Sequence, residues 1–142
     1  MTAQVLVGTD DAHPVVDALV AAFERRGCVV RREAPGVWGP VARVVADAVA
    51  RGDATFGVVC CWTGTGVSIV ANKVPGVRAA LCVDAATATG ARRWNDANVL
   101  AISLRLTSEA VAGEIVEAWL RAAYDGTEAA SLACVRDLDA RR

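Results

Sequence analysis

One stretch of this sequence brings a nucleophilic thiol, a glycine-rich turn and a helix start together. It reads Cys60-Cys61-Trp62-Thr63-Gly64-Thr65-Gly66 and continues through Val67-Ser68-Ile69-Val70-Ala71-Asn72-Lys73-Val74-Pro75-Gly76. Residues 55–60 are apolar and β-branched, as a buried strand requires, and apolar positions recur at helical spacing after the turn. A thiol at such a junction sits in the field of a helix N-terminus, which favours its anionic form, while the turn's N–H groups point at whatever binds above it. That equipment removes a proton and holds the resulting oxyanion.

The elements that must position this turn alternate between strand and helix. Residues 4–8 read as a short apolar strand, and residues 14–26 as an amphipathic helix with Val15, Leu19, Ala22 and Phe23 on one face and Gly27 as its stop signal. Strands follow over 28–32, 55–61, 77–83 and 98–104. Helices are predicted over 40–51, 66–73 and 85–94, with a loop over 34–39. Ser108 caps a long helix to Tyr124, with Glu109 in its first turn where the dipole favours an acid, and the tail over 127–142 is weakly helical. Five strands with crossover helices predict an α/β fold, a doubly wound, Rossmann-like parallel sheet in flavodoxin-type strand order with a C-terminal helical tail. Ligands of such sheets bind beyond the carboxyl ends of the strands at the switch point between the first and third, where Gly8-Thr9-Asp10-Asp11 meets the thiol turn.

Composition narrows the function classes. The 142 residues form one domain, 1–142, and a domain of this size buries roughly 68–70% of the surface its unfolded chain exposes. The hydrophobic share of 54% is high for a small monomer and predicts a subunit interface. A net charge of −1 with dispersed signs argues against nucleic acid as a partner. No apolar run is long enough for a membrane span and residues 1–8 lack the pattern of a signal peptide, so the expectation is a cytoplasmic protein. The five cysteines, Cys28, Cys60, Cys61, Cys82 and Cys134, are odd in number and contain no C-x-x-C pair. Neither a disulfide framework nor a metal or cofactor site follows from that spacing.

At Gly8-Thr9-Asp10-Asp11-Ala12-His13, at Cys61 to Gly76 and at Trp94-Asn95-Asp96-Ala97-Asn98-Val99-Leu100, the chain resembles the ribose-5-phosphate isomerase B family, which includes the galactose-6-phosphate isomerase subunits. Length, order and spacing agree over nearly the whole chain. The resemblance implies an aldose-ketose isomerisation through an enediolate. Carried over, Cys61 is the base, Gly64, Thr65 and Gly66 supply the anion hole, and Thr63, Asn95 and Asp10 orient the substrate. Some members use a Glu one position beyond the third motif glycine, where this chain has Val67.

Departures from the family pattern fall on the substrate side. Trp94 stands where the family has its ring-opening histidine, and Asp11 where it has a phosphate-binding histidine. The arginine cluster that completes the family's phosphate site aligns with Glu128-Ala129-Ala130-Ser131-Leu132, which carries no cation, while Arg105 survives and Arg136 lies farther on. Trp62 replaces the first motif glycine, and Trp38 lies in the loop where relatives commonly have Asp-Tyr-Pro. Indoles favour stacking and apolar burial, and Trp38, Trp62 and Trp94 join Asp10, Asp11 and Arg105, positions the resemblance implies, in the expected substrate-binding set.

The leading expectation is therefore a proton-transfer isomerase, epimerase or tautomerase acting on a non-phosphorylated, more apolar or aromatic carbonyl compound in specialised metabolism. Two alternatives stand beside it: a sugar-phosphate aldose-ketose isomerase, and a non-catalytic or hetero-oligomer subunit. A homodimer or homotetramer is expected, because family members place each pocket between two subunits. Asp10 and Asp11 could instead cap the first helix, Trp38 could pack at a subunit interface, and His13 reads as a first-turn surface residue.

Overall fold

The computed structural model describes residues 2–141. Met1, and Arg142 at the end of the expected tail helix, lie outside the described residues. The elements run β1 (Gln4–Thr9), α1 (Pro14–Arg25), β2 (Val29–Arg32), α2 (Trp38–Arg51), β3 (Phe56–Cys61), α3 (Thr65–Asn72), β4 (Ala79–Leu81), α4 (Ala85–Asn95), β5 (Val99–Ser103), α5 (Glu109–Arg121) and α6 (Ala129–Ala140). All strand pairs are parallel. The predicted α/β class and its alternation of elements are what the chain adopts.

Strand order differs from the flavodoxin-type expectation at one edge, being β2-β1-β3-β5-β4. The last two strands exchange places, and burial accounts for it. The Val-Leu-Ala-Ile-Ser of β5 is buried throughout and takes the inner position, whereas β4 has only three residues, all half-buried. Short strands are what sheets place at their edges.

Alternation along the strands sends side chains to two cores. Val5, Val7, Val58, Cys60, Leu100 and Ile102 face α1, α4 and α5, with Phe23 and Trp119 as the largest buried groups there. Leu6, Val59, Cys61, Val99 and Ala101 face α2 and α3 on the other side. Because side chains alternate with period two, the neighbouring thiols of Cys60 and Cys61 point to opposite faces of the sheet. Helix α6 lies outside both cores, with Leu132 as its buried side chain.

Two helix starts differ from the sequence reading. His13, not Asp10 or Asp11, is the N-cap of α1, its Nδ1 accepting from the Val15 N–H at 3.1 Å. Helix α2 begins at Trp38 rather than Pro40, so the indole expected in a loop belongs to a first turn. Proline at the third helical position fits, since its missing N–H has no intrahelical acceptor there. Ser108 caps α5 as expected, accepting from the Val111 N–H at 3.1 Å.

Candidate functional site

Pairing of β1 with β3 brings Thr9 beside Cys60, and the Asp10 N–H donates to the Cys60 carbonyl at 3.2 Å. The two motifs expected to meet at the switch point do so. Thr9 buries its hydroxyl, which donates to the Asp11 carbonyl at 2.8 Å and accepts from the Asp11 N–H at 3.3 Å. That turn leaves the Asp11 side chain exposed, whereas Asp10 Oδ1 is buried with no hydrogen-bond partner among the described residues.

Cys61 ends β3, and its Sγ accepts a hydrogen bond from the Gly64 N–H at 3.2 Å. Gly64 is the N-cap of α3 with φ +77°, and a Cβ there would fall 2.6 Å from the Leu81 side chain and 2.8 Å from the Ser103 nitrogen. Both its backbone conformation and its closeness to β5 demand glycine. Sulfur takes the Gly64 amide, and the N–H groups of the first turn of an α-helix have no intrahelical acceptor. Of the three residues expected to form an anion hole, Gly64 gives its amide to the thiol instead, while Thr65 and Gly66 open the first turn of α3 with Val67. Thr63 and Thr65 are exposed and share a hydroxyl hydrogen bond of 2.8 Å.

Burial separates the adjacent thiols chemically. Cys60 is 0% exposed, and burial pushes its thiol well above the usual range, with the charges of Cys61 and Asp10 adding to the effect. Cys61 is 6% exposed at the site. Val67, which stands one position beyond the third motif glycine, is fully buried.

Trp38 and Trp62 flank the turn. A Cβ on Gly66 would lie 2.9–3.2 Å from three carbons of the Trp38 ring, so that indole lies against Gly66. Trp62 is about half exposed, and its carbonyl accepts from the Arg105 N–H at 2.9 Å and from the buried Ser103 hydroxyl at 3.1 Å. Arg105 is exposed and makes no ion pair among the described residues. Ser103 was not anticipated, since a serine closing a strand carries no distinguishing sequence signal.

Trp94 and Asn95 lie elsewhere. They end α4 and precede the start of β5, whereas Cys61 pairs with Ser103 at the end of β5. At about 3.3 Å per residue, the steps from Val99 to Ser103 alone separate the two edges of the sheet by about 13 Å. Within one subunit, the expected grouping of Asn95 and Trp94 with Cys61 does not occur.

At the amino edge, Trp94 and Asn95 line a cavity of about 510 Å³ with Asn72, Val77, Glu128 and Leu132. The Trp94 ring lies over Gly90, where a Cβ would approach within 2.8 Å. Asp96, the next residue, has φ +48°, the one positive φ outside glycine among the described residues. Arg78 holds it, donating from Nε to the Asp96 carbonyl at 2.6 Å and from Nη2 to Oδ2 at 3.4 Å. Burial pulls the Arg92 guanidinium below its ordinary value while neighbouring Asp96 raises it, and that group stacks over the Phe56 and Trp119 rings. Sequence reasoning passed over Arg78 and Arg92, because arginines in a strand and a helix look like solvated charges until their contacts are known.

No helix among the described residues is long and apolar enough to cross a membrane. Residues 6–133 match the family described as Ribose/Galactose Isomerase. Among curated proteins, the chain is 46% identical over 82 residues to ribose-5-phosphate isomerase B of Escherichia coli, covering 58% of this chain and 55% of that protein. It is 34% identical over 147 residues to D-erythrulose-4-phosphate isomerase 2 of Mycolicibacterium smegmatis, covering 97% of this chain and 96% of that one. The first of these matches is representative of several others, in which the alignment spans little more than half of the relative's length. Type B ribose 5-phosphate isomerase of Trypanosoma brucei superposes with a TM-score of 0.90 at 36% identity, covering 97% of this chain and 99% of that one.

Proposed function

The chain belongs to the ribose/galactose isomerase family, and from that premise we propose that it is an aldose-ketose isomerase acting on a small sugar phosphate. The observation that carries the chemistry is the Cys61 sulfur at the start of α3, accepting from Gly64 and flanked by first-turn amides. Cys61 takes the proton from the hydroxyl-bearing carbon next to the carbonyl and returns it to the former carbonyl carbon, while the hydroxyl proton passes to the former carbonyl oxygen, leaving the new carbonyl one carbon along. The N–H groups of Thr65, Gly66 and Val67 hold the enediolate oxygen between the two transfers. A positioned acid/base contributes roughly 10² to 10⁴ in rate, and loss of one anion-hole donor costs about 2.7–4 kcal/mol. The unpartnered Asp10 oxygen is an acceptor for a substrate hydroxyl.

Asn95 takes part only when a second copy brings its amino edge to the carboxyl edge of the first. The proposed assembly is therefore a homodimer, or a dimer of dimers, with composite sites. Sedimentation giving a stable monomer at micromolar concentration would overturn it. Arg105 is a cation available for phosphate at the carboxyl edge, beside the positive N-terminal end of α3.

The substrate names carried by the relatives favour this reading over the non-phosphorylated carbonyl compound anticipated above. A specific observation keeps that compound as a second reading: half-exposed Trp62 and Trp94 and exposed Asp11 and Glu128 stand where a phosphosugar site would offer hydroxyl partners and cations. Turnover of ribose 5-phosphate in deuterated water decides between them. Deuterium in the ketose product, lost in Cys61→Ala, supports the proposal. No turnover, with flat carbonyl compounds quenching Trp62 and Trp94 fluorescence, transfers the assignment to the second reading.

A further inference from the structure

We infer that Arg78 is a positioning residue, which fixes Trp94 and Asn95 at the amino-edge cavity by clamping the left-handed turn at Asp96. The functional consequence rests on the isomerase reading above; the positioning itself does not. Asp96 is the C-cap of α4 with φ +48° and ψ +42°, the left-handed conformation that is uncommon for a residue with a Cβ, that aspartate tolerates better than most, and that contacts to its carbonyl and carboxylate reinforce.

Those contacts come from two guanidinium groups. Arg78 donates to the Asp96 carbonyl at 2.6 Å, to its carboxylate at 3.4 Å and to the Gly76 carbonyl at 3.2 Å. Its own N–H donates to Asn98 Oδ1 at 2.8 Å, and the Asn98 amide donates to the same Gly76 carbonyl at 3.0 Å. Arg92 stands 3.9 Å from the other Asp96 oxygen, pinned between that carboxylate and the Phe56 and Trp119 rings.

The clamp thus ties the segment before β4, the end of α4 and the start of β5 into one corner. Trp94 and Asn95 are the last helical residues before that corner, so the direction in which they leave α4 depends on the conformation of Asp96. Arg78 reaches the backbone oxygen, the carboxylate and Gly76 together because its donors form a planar fork, which a lysine ammonium does not reproduce.

Protein carrying 5-fluorotryptophan tests this, because each of the four tryptophans gives its own ¹⁹F resonance, assignable by single Trp→Phe substitutions. In Arg78→Gln and in Arg78→Lys the Trp94 resonance should shift and broaden while those of Trp38 and Trp62, at the opposite edge, hold their positions. Asp96→Gly, which accepts the left-handed backbone and loses only the carboxylate, should move the same resonance less, and it serves if the Arg78 variants fail to fold. An unmoved Trp94 resonance in folded Arg78→Gln, full rescue by lysine, or all four resonances moving together would overturn the inference. With ribose 5-phosphate, Arg78→Gln should lower kcat roughly tenfold and leave KM within about twofold, the pattern of lost orientation rather than lost binding. Should wild-type protein not turn over that substrate, the isomerase reading falls, and the ¹⁹F shifts still decide the positioning.

Discussion

The two edges of the sheet are built on different principles. At the carboxyl edge the defining contact comes from the backbone: a left-handed glycine aims its amide at a thiol where a helix starts. At the amino edge, it comes from side chains, with an indole, an amide and two guanidinium groups around a strained aspartate. A parallel sheet sends all its strand ends one way, so a subunit cannot bring these edges together. In the proposed mechanism the carboxyl edge carries the reactive atom, and the amino edge supplies groups that act only with a second copy.

The sharpest way to break this contrast is to remove the thiol. Cys61→Ala should lower turnover by about 10² to 10⁴ and abolish solvent deuterium exchange, whereas Cys60→Ala should retain exchange. Alkylation followed by peptide mapping should find Cys61 modified before Cys60, whose burial keeps it protonated. Full activity in Cys61→Ala would remove the thiolate mechanism.

Mixing subunits tests whether the edges combine. Cys61→Ala and Asn95→Ala proteins, each inactive alone, should regain roughly one quarter of wild-type activity after co-refolding, because half the dimers are mixed and each has one intact composite site. No recovery in a proven heterodimer would place both residues in independent roles.

Charge reversal probes the substrate. Glu128→Arg adds a cation at the amino-edge cavity; screening at an exposed site leaves about 1.4 kcal/mol of the Coulomb gain, roughly a tenfold fall in KM for a sugar phosphate. An unchanged KM would favour the non-phosphorylated substrate.

Packing at the carboxyl edge can be disturbed by one methyl group. Gly66→Ala pushes on the Trp38 ring and should cost about 1–3 kcal/mol in chemical denaturation, with a change in Trp38 emission.

The smallest effect concerns the turn before α6. Hydrogen bonds from the Thr127 hydroxyl and amide, with the Arg93 guanidinium, hold the Asp125 carboxyl down to about 2 from its ordinary 3.8. A carboxylate held below its unfolded value stabilises the fold above that value and loses this contribution as pH falls through the folded one. Protection of the Thr127 amide, taken relative to its intrinsic exchange rate at each pH, should therefore persist at neutral pH, fall between about pH 4 and 2, and be weaker at all pH in Asp125→Asn.

Much of this was legible in the chain. Apolar periodicity marked the alternating strands and helices, Ser108 announced its cap, and the spacing from Cys61 to Gly66 identified the thiol turn, because these signals depend on residues close in sequence. Asp11 and His13 misled at α1, where several polar residues compete for one cap and only backbone geometry selects the imidazole. Trp38 looked like a loop residue because proline usually marks a helix start, and its contact with Gly66 joins elements far apart in sequence.

By itself, the sequence determined the α/β class, the thiol at a helix start and the opposite facing of Cys60 and Cys61, since these follow from local periodicity and spacing, and the resemblance of its motifs identified the family. Tertiary structure alone decided that β5 lies inside β4, that Gly64 serves the sulfur, that Arg78 clamps Asp96, and that Asn95 and Cys61 occupy opposite edges. Those facts depend on which strands pair and which end of each helix meets which end of the sheet, and the free energy that selects them comes from burial shared among residues distant in the chain.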